Sequence, residues 1–267
     1  MKVKYKDAEV APKKRFGQNF LLDQNVLRKI VAEAHLSPDD NVLEIGSGFG
    51  ALTRHIAAVA PRFVAVELDR NLAAFIRSEF PDARLIEGDF LDVPLAPLAK
   101  EKPLKILGNI PYSITTPILF KLLDERAFVE SAILLVQDEV ARRLSAKPRE
   151  KDYGVLAVQL QAFAKTEYLF KVSKNVFKPQ PTVNSAAIRL SFRQGSSQVP
   201  SELEGAFRAL VRRAFAMRRK TLENNLKFHY DLSGVDFDFK RRAEELSIQD
   251  FVALTRRLSE RERRAKD

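Results

Sequence analysis

The chain has 267 residues, 45% of them apolar, and 45 Lys plus Arg against 35 Asp plus Glu, a formal net charge of +10; that is enough to bury a large core and describes a folded chain rather than a disordered one. The absence of cysteine excludes a disulfide scaffold, a thiolate metal site and any cysteine nucleophile, including covalent methylation at pyrimidine C5. The scattered His35, His55 and His229 have no ligand spacing, so no metal is expected, and no apolar run approaches the roughly 20 residues of a membrane span, so a cytoplasmic chain without a membrane partner is expected.

A basic arm, MKVKYKDAEVAPKKR, precedes Val26–His35, whose apolar residues recur at helical spacing. Short apolar strands are then expected at Asn41–Ile45, Arg62–Glu67, Ala83–Glu87, Leu104–Leu107 and Ala132–Val136. Helical stretches at Leu52–Val59, Arg70–Phe80, Pro117–Leu123 and Asp138–Leu144 separate them, the alternation of a parallel sheet covered on both faces. Tyr153–Ala162 reads as another helix and Thr166–Val172 and Ala186–Phe192 as strands. Between these strands NVFKPQPTVNS reads as a rigid surface loop, because Pro179 and Pro181 force an extended path. Residues 194–201 read as a linker. The spacing therefore predicts an α/β domain over 1–193 and a small all-helical domain over 202–267, with apolar stripes at Leu203, Phe207, Leu210 and Val211 and at Phe251, Leu254 and Leu258.

The segment Glu44-Ile45-Gly46-Ser47-Gly48-Phe49-Gly50 ends the first strand of that domain and opens a helix, where glycines let a ligand approach the backbone. Glu67, at the end of the next strand, is placed to accept hydrogen bonds from both hydroxyls of a ribose. The same glycines satisfy a dinucleotide pattern, so a nicotinamide dehydrogenase is a rival reading. Two features favour S-adenosylmethionine. Glu44 could serve the amino acid end of that cofactor directly or through water, and Asp89, beside Phe90, could accept from the adenine amino group.

Gly108-Asn109-Ile110-Pro111-Tyr112 follows the fourth strand. The exocyclic amine of adenine is a poor nucleophile because its lone pair is delocalised into the ring. Two acceptors, the Asn109 side-chain oxygen and the Ile110 carbonyl, would draw that density back onto nitrogen, with Pro111 fixing the backbone between them. Tyr112 supplies a flat face for an extruded base, where stacking is worth about 1–3 kcal/mol and offsets much of the unstacking cost.

With those residues in view the chain resembles the ribosomal RNA adenine dimethyltransferases. The likeness spans nearly the whole chain and includes FGQNFL at Phe16–Leu21, EIGSGFGALT at Glu44–Thr53, VELD at Val66–Asp69, GNIPY at Gly108–Tyr112 and VFKPQPTVNSAAIRL at Val176–Leu190. It implies a Rossmann-like methyltransferase fold with a mostly parallel seven-stranded sheet, S-adenosylmethionine as methyl donor, and cofactor contacts from Gln18, Asn19, Leu21, Gly46, Gly48, Glu67, Leu68, Asp89, Phe90 and Asn109. It also implies that Phe177 stacks on the target base opposite Tyr112. Ser47 departs from the family, where many members carry proline. VQDEVARRL at Val136–Leu144 and AFAMRRKTLENNL at Ala214–Leu226 resemble the small-subunit branch rather than the large-subunit branch linked to macrolide resistance. The expected activity is dimethylation of two adjacent adenosines near the 3′ end of small-subunit rRNA, within the assembling 30S particle and by a monomer. A binding protein serving as an assembly factor is a further rival. Lys13, Lys14 and Arg15 in the arm, and Arg212, Arg213, Arg218, Arg219 and Lys220 in the helical domain, are the candidate phosphate contacts.

Overall fold

The computed structural model describes residues 3–5, 8–10, 13, 17–192 and 197–264; Lys14, Arg15, Phe16 and the start of the expected linker lie outside the described residues. By contact the chain divides into two compact units, Met1–Ala141 with Glu167–Phe192, and Arg142–Thr166 with Arg193–Asp267.

The first unit opens with a short antiparallel hairpin, β1 (Val3–Tyr5) and β2 (Ala8–Val10), where the sequence reads only as a basic arm. After β3 (Phe20–Leu21) comes α1 (Gln24–Glu33), whose first turn is closed by Asp23 accepting from the amides of Asn25 and Val26. The main sheet then builds from β4 (Asn41–Ile45), β5 (Phe63–Glu67), β6 (Arg84–Glu87), β7 (Leu104–Asn109) and β8 (Val129–Gln137), all parallel to one another. β9 (Lys165–Val172) forms one edge, and β11 (Ser185–Ser191), antiparallel to β8, lies inside it. The order is β6-β5-β4-β7-β8-β11-β9. Seven strands, one of them antiparallel to its neighbour, match the architecture that the motifs imply.

Strands such as NVLEI and FVAVE are near-continuous apolar runs because helices cover both faces of a parallel sheet. Val42, Leu43, Ala65 and Val66 are accordingly at most 1% exposed. α2 (Ala51–Ala57), α3 (Arg70–Glu79) and α4 (Thr115–Asp124) are the crossovers, and α5 (Asp138–Ser145) follows β8. The strand order reverses at β4, with β5 on one side and β7 on the other. Loops there diverge at the carboxyl ends of the strands and leave a crevice.

One expected loop is partly a ladder. Within NVFKPQPTVNS, β10 (Phe177–Lys178) pairs antiparallel with β3, Phe177 opposite Leu21. Both side chains are buried in the same apolar cluster as Leu27, Ile30, Val42 and Leu107, so burial, not proline stiffness alone, fixes this segment.

In the second unit, α6 (Val155–Phe163), α7 (Glu204–Ala214), α8 (Leu222–Leu226) and α9 (Ile248–Arg264) surround an aromatic core. The Phe163 and Phe207 rings meet at 5.9 Å, Phe207 and Phe251 at 6.4 Å, and Tyr153 and Phe215 at 6.3 Å. The expected division assigned 142–166 to the first domain, whereas contact assigns it to the helical unit. The reason is α6, VLAVQLQAF, which is apolar nearly all round and must be enclosed. Its Gln159 side-chain amide donates to Arg208 O at 3.1 Å, and the Tyr153 hydroxyl donates to Leu246 O at 3.0 Å.

Candidate active site

At the crevice lies a cavity of about 180 Å³, open to solvent, lined by the glycine loop after β4, the ends of β5, β6 and β7, and Gly17–Phe20. Gly46 and Gly48 adopt the left-handed conformation, φ 71° and 54°, that favours glycine. The amide of Gly46 donates to Val66 O, that of Gly48 to the Glu67 carboxylate, and that of Gly50 to Ser47 O, each at 2.8–2.9 Å. A diphosphate at this turn would need such amides free. With all three taken, the glycine amides themselves offer a diphosphate no nest.

The Glu67 carboxylate is buried at 6% exposure; its oxygens accept from Gly48 N at 2.8 Å and Asp69 N at 2.9 Å. Burial pushes its pKa up, against the pull of those two amides. An ionised carboxylate has about four acceptor sites, so two remain for a pair of hydroxyls. Leu68, 43% exposed, and buried Phe90 line the cavity beside it. Asp89 accepts from Leu91 N through Oδ1, leaving its other oxygen free among the described residues. An uncharged nucleoside fits these groups: paired hydroxyls at Glu67, an amino donor at Asp89 and a flat ring between apolar side chains.

Glu44 departs from expectation. It is 1% exposed, accepts from the Thr53 hydroxyl at 2.6 Å, and lines a smaller cavity behind the glycine loop rather than the main one. Burial pushes its pKa up to about 8, with the Glu67 carboxylate adding to the rise, so at neutral pH it is mostly an uncharged acid. Ser47 shares that cavity, its hydroxyl buried and without a partner among the described residues.

The other wall carries the GNIPY segment. β7 can approach β4 this closely because residue 108 is glycine: a Cβ there would stand 3.0 Å from Ile45 O. Asn109, the last residue of β7, donates through Nδ2 to Asn19 O at 2.8 Å. A carbonyl only accepts, so this bond fixes which end of the amide is which and leaves Oδ1 as the free acceptor. The Ile110 carbonyl accepts nothing among the described residues, while Pro111 holds an extended backbone at φ −61°, ψ 135°. The Tyr112 hydroxyl lies 2.6 Å from Ser185 Oγ, which tethers the ring at the cavity wall, and burial raises its pKa.

A glycine loop without a phosphate nest, a ribose-type carboxylate and two free carbonyl-type acceptors therefore face one cavity. The chain matches the family described as ribosomal RNA adenine dimethylase over residues 10–259. It belongs to that family. It is an rRNA adenine dimethyltransferase with S-adenosylmethionine as methyl donor. It is 57% identical over 255 residues to a ribosomal RNA small subunit methyltransferase A of Chlorobium phaeobacteroides, covering 95% of this chain and 94% of the relative. The protein of the same name in Chlorobaculum tepidum is 54% identical, covering 95% of this chain and 91% of that one. Among solved structures the chain is similar to the 23S rRNA methyltransferase ErmE, at 28% identity and TM-score 0.70, covering 90% of this chain and all of that one. It also shares its fold with a dimethyladenosine transferase from Plasmodium falciparum, at 24% identity and TM-score 0.75, covering 92% and 98%.

Within this family member the structure brings together Gln18, Asn19, Gly46, Gly48, Glu67, Leu68, Asp89, Phe90 and Asn109–Tyr112, all lining the main cavity. It does not bring Leu21 or Phe177 there. Leu21 is 3% and Phe177 2% exposed, both in the core cluster, so Phe177 offers no open face to a base opposite Tyr112. The apolar gain of enclosing two large side chains outweighs displaying them. Lys13 also departs from expectation: its ammonium lies 2.8 Å from Asp69 Oδ1, a carboxylate side chain with no exposure, so its charge serves that partner rather than a phosphate. Gln18 joins the same network, donating to Asp69 and accepting from Lys13 N.

Arg212, Arg218, Arg219 and Lys220 are exposed on the helical unit, and Arg213 lies over the Tyr230 ring at 5.0 Å. Sequence reasoning missed the Asn19 carbonyl and Ser185 as orienting groups. Ser185 stood within the quoted VNSAAIRL segment, but nothing local pointed it at Tyr112.

Proposed function

We propose that this dimethyltransferase places two methyl groups on N6 of each of two adjacent adenosines near the 3′ end of small-subunit rRNA, acting as a cytoplasmic monomer on the assembling 30S particle. The observation that carries the reading is the Asn109 amide, whose nitrogen is engaged by Asn19 O so that its oxygen is free for a substrate amine. The relatives named for the small-subunit activity support that target over the large-subunit alternative.

S-adenosylmethionine supplies an electrophilic methyl group on a sulfonium. Glu67 would hold its ribose and Asp89 its adenine amino group, with Leu68 and Phe90 flanking the ring. Asn109 Oδ1 and Ile110 O accept the two N–H bonds of the target amine, which makes the nitrogen more pyramidal and turns its lone pair away from the ring. Tyr112, held by Ser185, supports one face of the extruded base. After transfer the nitrogen is cationic and loses a proton to solvent, so no general base is needed. The monomethyl product keeps one N–H, which still reaches an acceptor and permits a second transfer. The helical unit, residues 202–267 with the segment 142–166, supplies phosphate contacts through Arg212, Arg213, Arg218, Arg219 and Lys220.

The test uses small-subunit particles from cells lacking this protein, labelled S-adenosylmethionine and mass spectrometry of the rRNA. Two adjacent dimethyladenosines near the 3′ end are expected. Label confined to large-subunit RNA, or particle binding with no transfer, would overturn the reading.

A further inference from the structure

Phe228 on the helical unit is 81% exposed, the most exposed large apolar side chain among the described residues. Leaving a phenylalanine in water forgoes about 2–3 kcal/mol of burial. The segment that carries it is cationic: residues 212–230 hold six Lys or Arg against the single acid Glu223, and Glu244 from farther along the chain pairs with Arg218 at 3.6 Å.

Asn225 ties the basic turn to the short helix that precedes Phe228. Buried at 4% exposure, it accepts from Met217 N at 3.0 Å and donates to Met217 O at 3.2 Å and to Ala214 O at 2.8 Å. The turn carrying Met217, Arg218, Arg219 and Lys220 is thereby clamped to α8, and Phe228 follows Asn225 by three residues, a reach of at most about 11 Å. Met217 is itself 47% exposed, and the Lys227 ammonium stands 5.3 Å from the Phe228 ring centroid. Arg219 and Lys220 are exposed and form no ion pair among the described residues.

An open aromatic ring among unpaired cations matches a chain that carries both phosphates and accessible π-faces. A duplex keeps its bases stacked inside, and an apolar protein surface would have to desolvate the cations without neutralising them. We propose that Phe228 is a stacking platform for an unpaired base of small-subunit rRNA, with Arg219, Lys220 and Lys227 on the flanking phosphates. This rests on the rRNA-modifying reading above, which gives the helical unit only phosphate contacts, and adds to it a base-stacking contact at Phe228.

Full-length chain and unmethylated small-subunit particles test it, with binding followed by fluorescence anisotropy across a salt series. Phe228→Ala should weaken binding by roughly 5- to 150-fold, the stacking range converted at tenfold per 1.4 kcal/mol, with the slope of log affinity against log salt unchanged. Phe228→Trp should retain affinity. Arg219→Gln with Lys220→Gln should instead reduce that slope by about 1.4–1.8. Benzoylphenylalanine at position 228 should photocrosslink to rRNA. Unchanged binding by Phe228→Ala, or a crosslink to ribosomal protein in place of RNA, overturns the platform; the functional reading then stands if the parent chain still dimethylates those particles, and falls with it if no methyl group is transferred.

Discussion

On the proposed reading, Asn109 serves the target amine and Glu67 the cofactor, and single substitutions should separate the two roles. Asn109→Ala removes one acceptor from the target amine while Gly48, Glu67 and Asp89 remain, so turnover should fall about 10²- to 10³-fold with little change in S-adenosylmethionine affinity. Glu67→Ala should act the other way, weakening cofactor binding by roughly 10- to 150-fold, the worth of hydrogen bonds to a charged group. Calorimetric titration beside single-turnover rates distinguishes them; equal losses in both quantities for both variants would contradict the division.

Glu44 makes a separate prediction. Burial holds its carboxyl protonated to about pH 8, whereas the unfolded chain releases that proton near the ordinary glutamate value of 4.5. Between those values the unfolded state binds fewer protons than the folded one. Stability therefore falls as pH rises, by up to about 1.4 kcal/mol per pH unit from this group. Glu44→Gln should flatten urea-unfolding stability over that window, leaving the contribution of Glu67, whose pKa is raised in the same direction. At this scale the sequence was informative about most of the side chains that line the cavity, though not about Glu44, Leu21 or Phe177, and uninformative about their charge, since burial is a property of the surroundings.

At the scale of elements, the strand–glycine turn–helix unit is local, and alternating apolar strands and amphipathic helices could be read without long-range information. Gly50 shows the limit. Its φ is 72°, and a Cβ would lie 2.6 Å from Phe80 Cε2 and 3.1 Å from Ile76 Cδ1, both from the end of α3. Gly50→Ala should cost about 1–3 kcal/mol from backbone strain, more with the clash, visible as a lowered unfolding midpoint; an unchanged midpoint would mean that neither the left-handed backbone nor the Phe80 ring resists a methyl group there. The sequence marks Gly50 as a turn residue, but only the packing of α3 makes it irreplaceable. The same holds for β3 and β10, each two residues long and too short to show a period; their pairing is decided by burial of Leu21 and Phe177.

For the whole molecule, an excess of ten positive charges makes association with rRNA salt-dependent. Affinity for small-subunit particles should fall steeply between low and physiological salt, with a log–log slope of about −0.7 to −0.9 per neutralised phosphate; a flat response would exclude backbone phosphates as the main contact. By itself the sequence determined the α/β class, the family and its methyl donor, and it marked Asn109 and Ile110 as candidates for the acceptor pair, because each is written in residues adjacent along the chain. Tertiary structure alone decided three other matters. The Asn109 amide is oriented by a carbonyl 90 residues away, Tyr112 is tethered by a hydroxyl 73 residues away, and Val155–Phe163 joins the helical unit rather than the sheet. Hydrogen-bond direction and the enclosure of an apolar helix depend on which distant partners the fold brings near, and no local spacing encodes that.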